Sequence, residues 1–255
     1  MKFRKDAVVT DEPDGKAADM RPPGHAESRP LGGKSGALRA AIFGANDGLV
    51  SNLSLIMGVA GATTNRSVVL LAGIAGLLAG AFSMGAGEFI SMRVQRDVFE
   101  NLIEFERGEH VATPEAEMAE LIQIYEARGI PADLARATAE IVHADPKLTL
   151  ETHAREELGL DIEDLGSPWA AAIYSFITFS VGALIPLAPF LFISGPPAVV
   201  TAAVLSGLTL FGVGGAMTLF TGKHFWWQGL KMLAIGGAAA TITYFVGTLL
   251  GVKVA

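Results

Sequence analysis

From Trp169 to Ile193, and again from Ala198 to Thr221, the chain runs without a charged side chain. Each run exceeds the roughly 20 apolar residues that a helix needs to cross the hydrocarbon core of a bilayer. Only helices and closed barrels span lipid, because every backbone N–H and C=O there must be paired within the protein. Three further runs have spanning length. Leu38 to Ala62 carries Asp47 beyond Arg39 at its edge, Val68 to Met92 carries only Glu88, and Phe225 to Val252 carries only Lys231 near its start. The connectors TTNR (63–66) and SGPP (194–197) are short enough to make helical hairpins of the first two runs and of the third with the fourth. The expected fold is an all-α integral membrane protein with five transmembrane helices.

Composition agrees. Charged residues make up 18% of the chain and mean hydropathy is +0.43, against about 25% charge in an average soluble domain. The 30 glycines suit close helix contacts in lipid. Cysteine is absent, which excludes disulfides, zinc knuckles and thiol catalysis. There is no basic surface of the kind that nucleic acid requires. Residues 1–35 have no apolar periodicity and read as a disordered tail, without the hydrophobic stretch of a cleaved signal peptide.

Lysine and arginine set the orientation. With the N-terminus in the cytoplasm, 17 of the 19 basic residues lie inside and only Arg66 and Lys253 outside. Five spans then put the C-terminus outside. Alanine and glycine richness without an organellar targeting segment points to a bacterial inner membrane.

The expected organisation is a tail (1–35), transmembrane helices 1–2 (36–92), an acidic cytoplasmic metal-binding region (93–168) and transmembrane helices 3–5 (169–255). The acidic region holds 18 Asp and Glu against 7 Lys and Arg. Its punctuation predicts a small helical domain. The second span continues without a breaker to about Arg107. Thr113-Pro114 opens a helix ending near Gly129, Pro131 opens one to about His143, and Asp145-Pro146 opens a last one closed by Gly159.

Two groups of residues carry chemistry. In the acidic region Glu106 and Glu109 are three apart, as are Glu117 and Glu120, so each pair shares a helix face. His153 lies one turn before Glu157. Carboxylates with an imidazole suit Mn, Fe or Mg, and histidine shifts the preference towards Fe and Zn. The competing reading is a solvated charged face. In the membrane, Asp47 is costly unless it meets a cavity, a partner or an ion. Asn46 and Asn52 add amide oxygens on the same span, with Ser51 one turn on. Gly80, Met84 and Glu88 line one face of the second span. Met84 fits a transient ligand or a gap-filling core residue, and Glu88 a proton carrier, a ligand or an interfacial acid. Pro186 and Pro189 are expected to kink the third span.

The blocks NDGLVSN (46–52), AGAFSMGAGEFISMRVQRD (79–97), GALIPLAP (182–189), EELGLD (156–161) and WWQGLKMLAIGGAAATITYFVG (226–247) resemble the vacuolar iron transporter family over about residues 36–253, with GEF like its bacterial and nodulin-like branch. The resemblance implies a homodimer with a pore between the first spans. It further implies proton-coupled export of Fe(II), and often Mn(II), from the cytoplasm. Asp47 and Met84 fall on the family's membrane metal positions, and Glu106, Glu109, Glu117, Glu120 and Glu157 on its cytoplasmic glutamates. His153 and Ala154 stand where vacuolar members carry a methionine pair, and Glu88 replaces a small residue.

The alternative is a membrane-anchored metal-binding or sensing protein without transport. An enzyme is not expected: there is no P-loop and no HExxH, and the histidines at 25, 110, 143, 153 and 224 look scattered. Glu140-x-x-His143 has no second copy and reads as chance. The expected bound species are Fe2+ and Mn2+ as cargo, with no organic cofactor.

Overall fold

The computed structural model describes residues 33–218 and 223–251, with side chains from residue 41. Its helices are α1 (Gly33–Ala62), α2 (Arg66–Ala112), α3 (Pro114–Ala127), α4 (Ala132–His143), α5 (Pro146–Glu156), α6 (Pro168–Phe192), α7 (Pro196–Ala216) and α8 (Phe225–Gly251). Among the described residues all regular structure is helical. Five helices, α1, α2, α6, α7 and α8, are long and apolar enough to cross a membrane. Residues 1–32 of the expected tail lie outside the described residues, as do residues 219–222 and 252–255 at the ends of the expected fourth and fifth spans.

Local chemistry places the helix ends. Asn65 caps α2 by accepting from the Ser67 amide, and Ser167 caps α6 by accepting from Ala170, with Pro168 at the first helical position. Asp145 does the same for α5 through Lys147. Arg66 reaches the far end of α6, where Nε donates to the Phe190 carbonyl at 2.6 Å and Nη2 to that of Leu191. A cation at a helix C-terminus satisfies carbonyls that have no helical partner and complements the dipole.

Helix α1 is the centre of the bundle, packed against α2, α6, α7 and α8. Its Leu49, Leu53, Ile56 and Met57 form one core with Leu187 and Phe190 of α6 and Leu210 of α7. Apolar burial alone does not hold helices together in lipid, so van der Waals packing at small residues must contribute. A Cβ on Gly48 would collide with the Phe179 carbonyl, and one on Gly182 with the Ala45 carbonyl. The α1–α6 crossing therefore brings backbone against backbone. Gly247 of α8 meets the Gly58 carbonyl in the same way.

Helix α6 continues through Pro186 and Pro189. Each proline removes an amide donor and crowds the preceding turn. Asn52 enters there from α1, donating to the Ala183 carbonyl at 2.7 Å.

The 47 residues of α2 would measure about 70 Å, over twice the roughly 30 Å hydrocarbon thickness. The expected end near Arg107 is passed by a further turn, to Ala112. The helix stops where Thr113 precedes Pro114, a position biased away from helical geometry. Ion pairs Arg93–Asp97, Arg96–Glu100 and Arg107–Glu104 run along its exposed C-terminal half. Against that half fold α3 and α5, with α4 packed on both, around Leu121, Ala139 and Val142.

Gly182→Ala is expected to destabilise the detergent-purified protein by about 1–3 kcal/mol through overpacking, visible as a lower thermal unfolding midpoint. Gly212→Ala, whose Cβ meets nothing within 4 Å, is expected to leave the midpoint unchanged or raise it slightly.

Candidate functional site

The last turns of α2 put Glu106 and His110 on one face, four residues apart. Helix α3 brings Glu117 and Glu120 to the same place, and α5 brings His153, with Glu157 at its C-terminal cap. His153 Nδ1 lies 3.1 Å from Glu106 Oε1, 3.7 Å from Glu117 Oε2 and 3.9 Å from Glu157 Oε2. His110 Nε2 lies 3.2 Å from Glu106 Oε1 and 3.9 Å from Glu117 Oε2. One donor atom each from Glu106, His110, Glu117 and His153 falls within 4.8 Å of all the others, and a second such set joins Glu117, Glu120 and Glu157.

Glu106, Glu117 and His153 are 2%, 5% and 0% exposed. Glu106 Oε1, His110 Nε2 and His153 Nδ1 are buried without an aligned hydrogen-bond partner, despite their proximity. Buried polar atoms are costly unless satisfied. Converging carboxylate oxygens and imidazole nitrogens fit a divalent first-row cation.

Proton affinities show the same crowding. Burial, with the neighbouring charges of Glu106, Glu109 and Glu120, pushes the Glu117 carboxyl up to about 7 despite the opposing effect of His153. Burial works to lower the His153 pKa, but contacts with Glu106 and Glu157 and the charges of Glu106 and Glu117 together raise it to about 9. Burial first, and then the charge of His153, hold His110 and His143 below the usual histidine range.

Five residues singled out from sequence, Glu106, Glu117, Glu120, His153 and Glu157, lie in these two sets. Glu109 lies in neither, and acts on Glu117 through its charge. The scatter of the histidines is corrected by the fold. His110, His143 and His153 gather with ring centroids 4.5–6.1 Å apart, and His143 Nε2 is 3.2 Å from His153 Nε2. His110 was legible as the residue one turn after Glu106. His143 had no such signal, because α4 must fold back before it meets α5.

The membrane residues form a separate place. Asp47 and Ser51 of α1, Gly80, Ser83, Met84, Gly87 and Glu88 of α2, and Phe179 of α6 line an open groove of about 410 Å³. The Ser51 hydroxyl donates to the backbone carbonyl of Asp47 at 2.5 Å. Asp47 is exposed in the single chain. Asn46 and Asn52 do not line the groove. Asn52 is buried and its amide donates to the Ala183 carbonyl of α6. Asn46 Oδ1 is buried without a partner.

A sequence profile of the VIT family matches residues 38–248, which include both the groove and the glutamate–histidine cluster. The chain belongs to the VIT family. A vacuolar iron transporter of Acanthamoeba castellanii is 35% identical over 218 residues, 85% of this chain and 80% of that protein. Vacuolar iron transporter 1 of Arabidopsis thaliana is 32% identical over 208 residues, 81% and 83% of the two chains. Vacuolar iron transporter homolog 1 of Oryza sativa subsp. japonica is 34% identical over 246 residues, 96% and 86% of the two. These VIT relatives are named as transporters rather than enzymes, and membership together with five spanning helices makes this a multi-pass membrane protein.

A cation entering this VIT cluster must displace the protons held by His153, near 9, and by Glu117, near 7. Both shifts are upward, so affinity is expected to fall as pH drops from 9 to 6 and each bound cation to release roughly one to two protons at pH 7. Calorimetric titration in buffers of different ionisation enthalpy measures that release.

Proposed function

We propose that the chain is a proton-coupled exporter of divalent iron or manganese from the cytoplasm. The observation that carries this reading is the shared groove of Asp47, Met84 and Glu88 along the spanning helices. A carboxylate on the outer surface of a lone subunit at membrane depth would face lipid, at a cost of several kcal/mol. A second copy packed over the groove would remove that cost and enclose a polar path, so the functional unit is a homodimer with its pore between the two α1 helices.

Cargo enters from the glutamate–histidine cluster. The orientation that puts 17 of the 19 basic residues inside, as the distribution of lysine and arginine favours, makes region 93–168 cytoplasmic, whether the membrane is a bacterial inner membrane or the vacuolar one for which the relatives are named. There Glu106, Glu117, Glu120, Glu157 and His153 collect the cation, while Glu109 adds negative potential. Asp47 and the Met84 thioether then hold it in the groove, where a carboxylate and a soft, weak ligand allow release as well as capture. Protonation of Asp47, shared with Glu88, weakens that hold on the far side. The proton is thereby exchanged for the metal.

Inside-out vesicles with an imposed proton gradient test this. Asp47→Ala is expected to reduce Fe(II) or Mn(II) uptake at least tenfold without loss of cation binding by the cluster. Uptake equal to that of the unaltered protein would overturn the mechanism and favour a membrane-anchored metal-binding protein.

A further inference from the structure

The carboxylates of the cluster would serve any hard divalent ion, but the histidines packed among them would not serve all equally. We infer that Glu106, His110, Glu117 and His153 form a mixed nitrogen–oxygen cation site, held in shape by His143, that favours Zn(II), Co(II) and Fe(II) over Mn(II) and Mg(II). This rests on the proposed role of the cluster in cation capture.

The site is built from two buried, unaligned donors that face each other. Glu106 and His153 are each more than nine-tenths buried, and Glu106 Oε1 and His153 Nδ1 lack an aligned hydrogen-bond partner. Around them the donor atoms of His110 and Glu117 complete a group of two nitrogens and two oxygens within 4.8 Å. Four donors of this kind suit a tetrahedral or open six-coordinate first-row ion. The neighbouring set of Glu117, Glu120 and Glu157 offers oxygen alone, the donor that suits Mn(II) and Mg(II). Glu117 belongs to both sets, so one capture region contains two unlike subsites.

His143 supplies the orientation. Its Nε2 lies 3.2 Å from His153 Nε2, on the side of the His153 ring away from Nδ1 and Glu106. A neutral imidazole carries one proton. When His153 offers the Nδ1 lone pair to a cation, its Nε2 carries that proton and donates it to the Nε2 lone pair of His143. His143 is therefore a positioning residue, fixing the tautomer and ring angle of a ligand as outer partners of metal-bound histidines generally do. His110, from a different helix, is the second nitrogen ligand.

The test uses the full-length, metal-free protein in detergent, with Co(II) and Mn(II) as competing probes and Zn(II) for X-ray absorption. The unaltered protein is expected to hold Co(II) against about a 100-fold excess of Mn(II), in keeping with the general affinity order, and to show imidazole scattering from two histidines around Zn(II). In His110→Gln the scattering is expected to fall to one imidazole and the Co(II) preference by at least tenfold, with Mn(II) affinity changed less than threefold. His143→Leu is expected to weaken Co(II) binding about 10- to 100-fold. His143→Gln is expected to restore most of it, because its amide oxygen can accept from His153 Nε2.

Absence of imidazole scattering in the unaltered protein would overturn the site without recourse to any variant. An unchanged Co(II)-to-Mn(II) ratio in His110→Gln would remove that ligand, and equal behaviour of the two His143 variants would remove the positioning role. None of these results touches capture by carboxylates. That reading fails separately, if Glu106→Gln with Glu117→Gln leaves binding of both metals intact.

Discussion

One uninterrupted helix carries residues of both polar sites. Met84 and Glu88 line the membrane groove from α2, and Glu106 and His110 enter the cluster from the same helix. The 18 residues from Glu88 to Glu106 correspond to a rise of about 27 Å. An unbroken helix keeps its hydrogen-bond ladder over that distance and transmits position more faithfully than a loop would. No proline interrupts α2 after Arg66 until Pro114 ends it. The small helices α3 and α5 then need only bring their glutamates and His153 to a face that already exists.

The second constraint is the α1–α6 crossing. Gly48 and Gly182 let the two backbones touch, and Gly48 is the immediate neighbour of Asp47. Successive residues of a helix lie about 100° apart, so the face that presses on α6 excludes the face that carries Asp47. Asp47 is thereby left beside α2 and the groove. Asn52, further along α1, points into α6 at the turn before Pro186. Asp47 and Asn52 thus lie in different places, one in the open groove and one in a helix contact.

In the cluster, protons compete with the proposed cargo. Burial and then the neighbouring carboxylates raise the proton affinity of Glu117, and contacts with Glu106 and Glu157 stabilise a protonated His153 against the opposing effect of burial. The metal-free site therefore balances its negative charge with protons. A divalent ion, as proposed, would balance it more completely and would give buried acids a purpose that packing does not.

Much of this was legible in the sequence, because it was written in local signals. Apolar length gave the five spans. Thr113-Pro114 and Asp145-Pro146 gave the starts of α3 and α5, and Pro131 lies at the entry to α4. Glutamate spacing singled out Glu106, Glu117 and Glu120. The rest depended on long-range contacts. Arg66 looked like an isolated outer charge, yet it binds the end of α6, 124 residues away. Asn52 looked like a neighbour of Asp47, but which way an amide points depends on the helix packed against it. His143 looked like a chance residue because nothing in its own helix required it.

The central claim is that the cluster collects the cation and the groove carries it. Initial rates of Fe(II) or Mn(II) uptake over a range of metal concentrations, for the unaltered protein and for Glu106→Gln with Glu117→Gln, test it most directly. The account predicts a half-saturating concentration at least tenfold higher with a maximal rate within about twofold of the original. An unchanged half-saturating concentration with a collapsed maximal rate would contradict it.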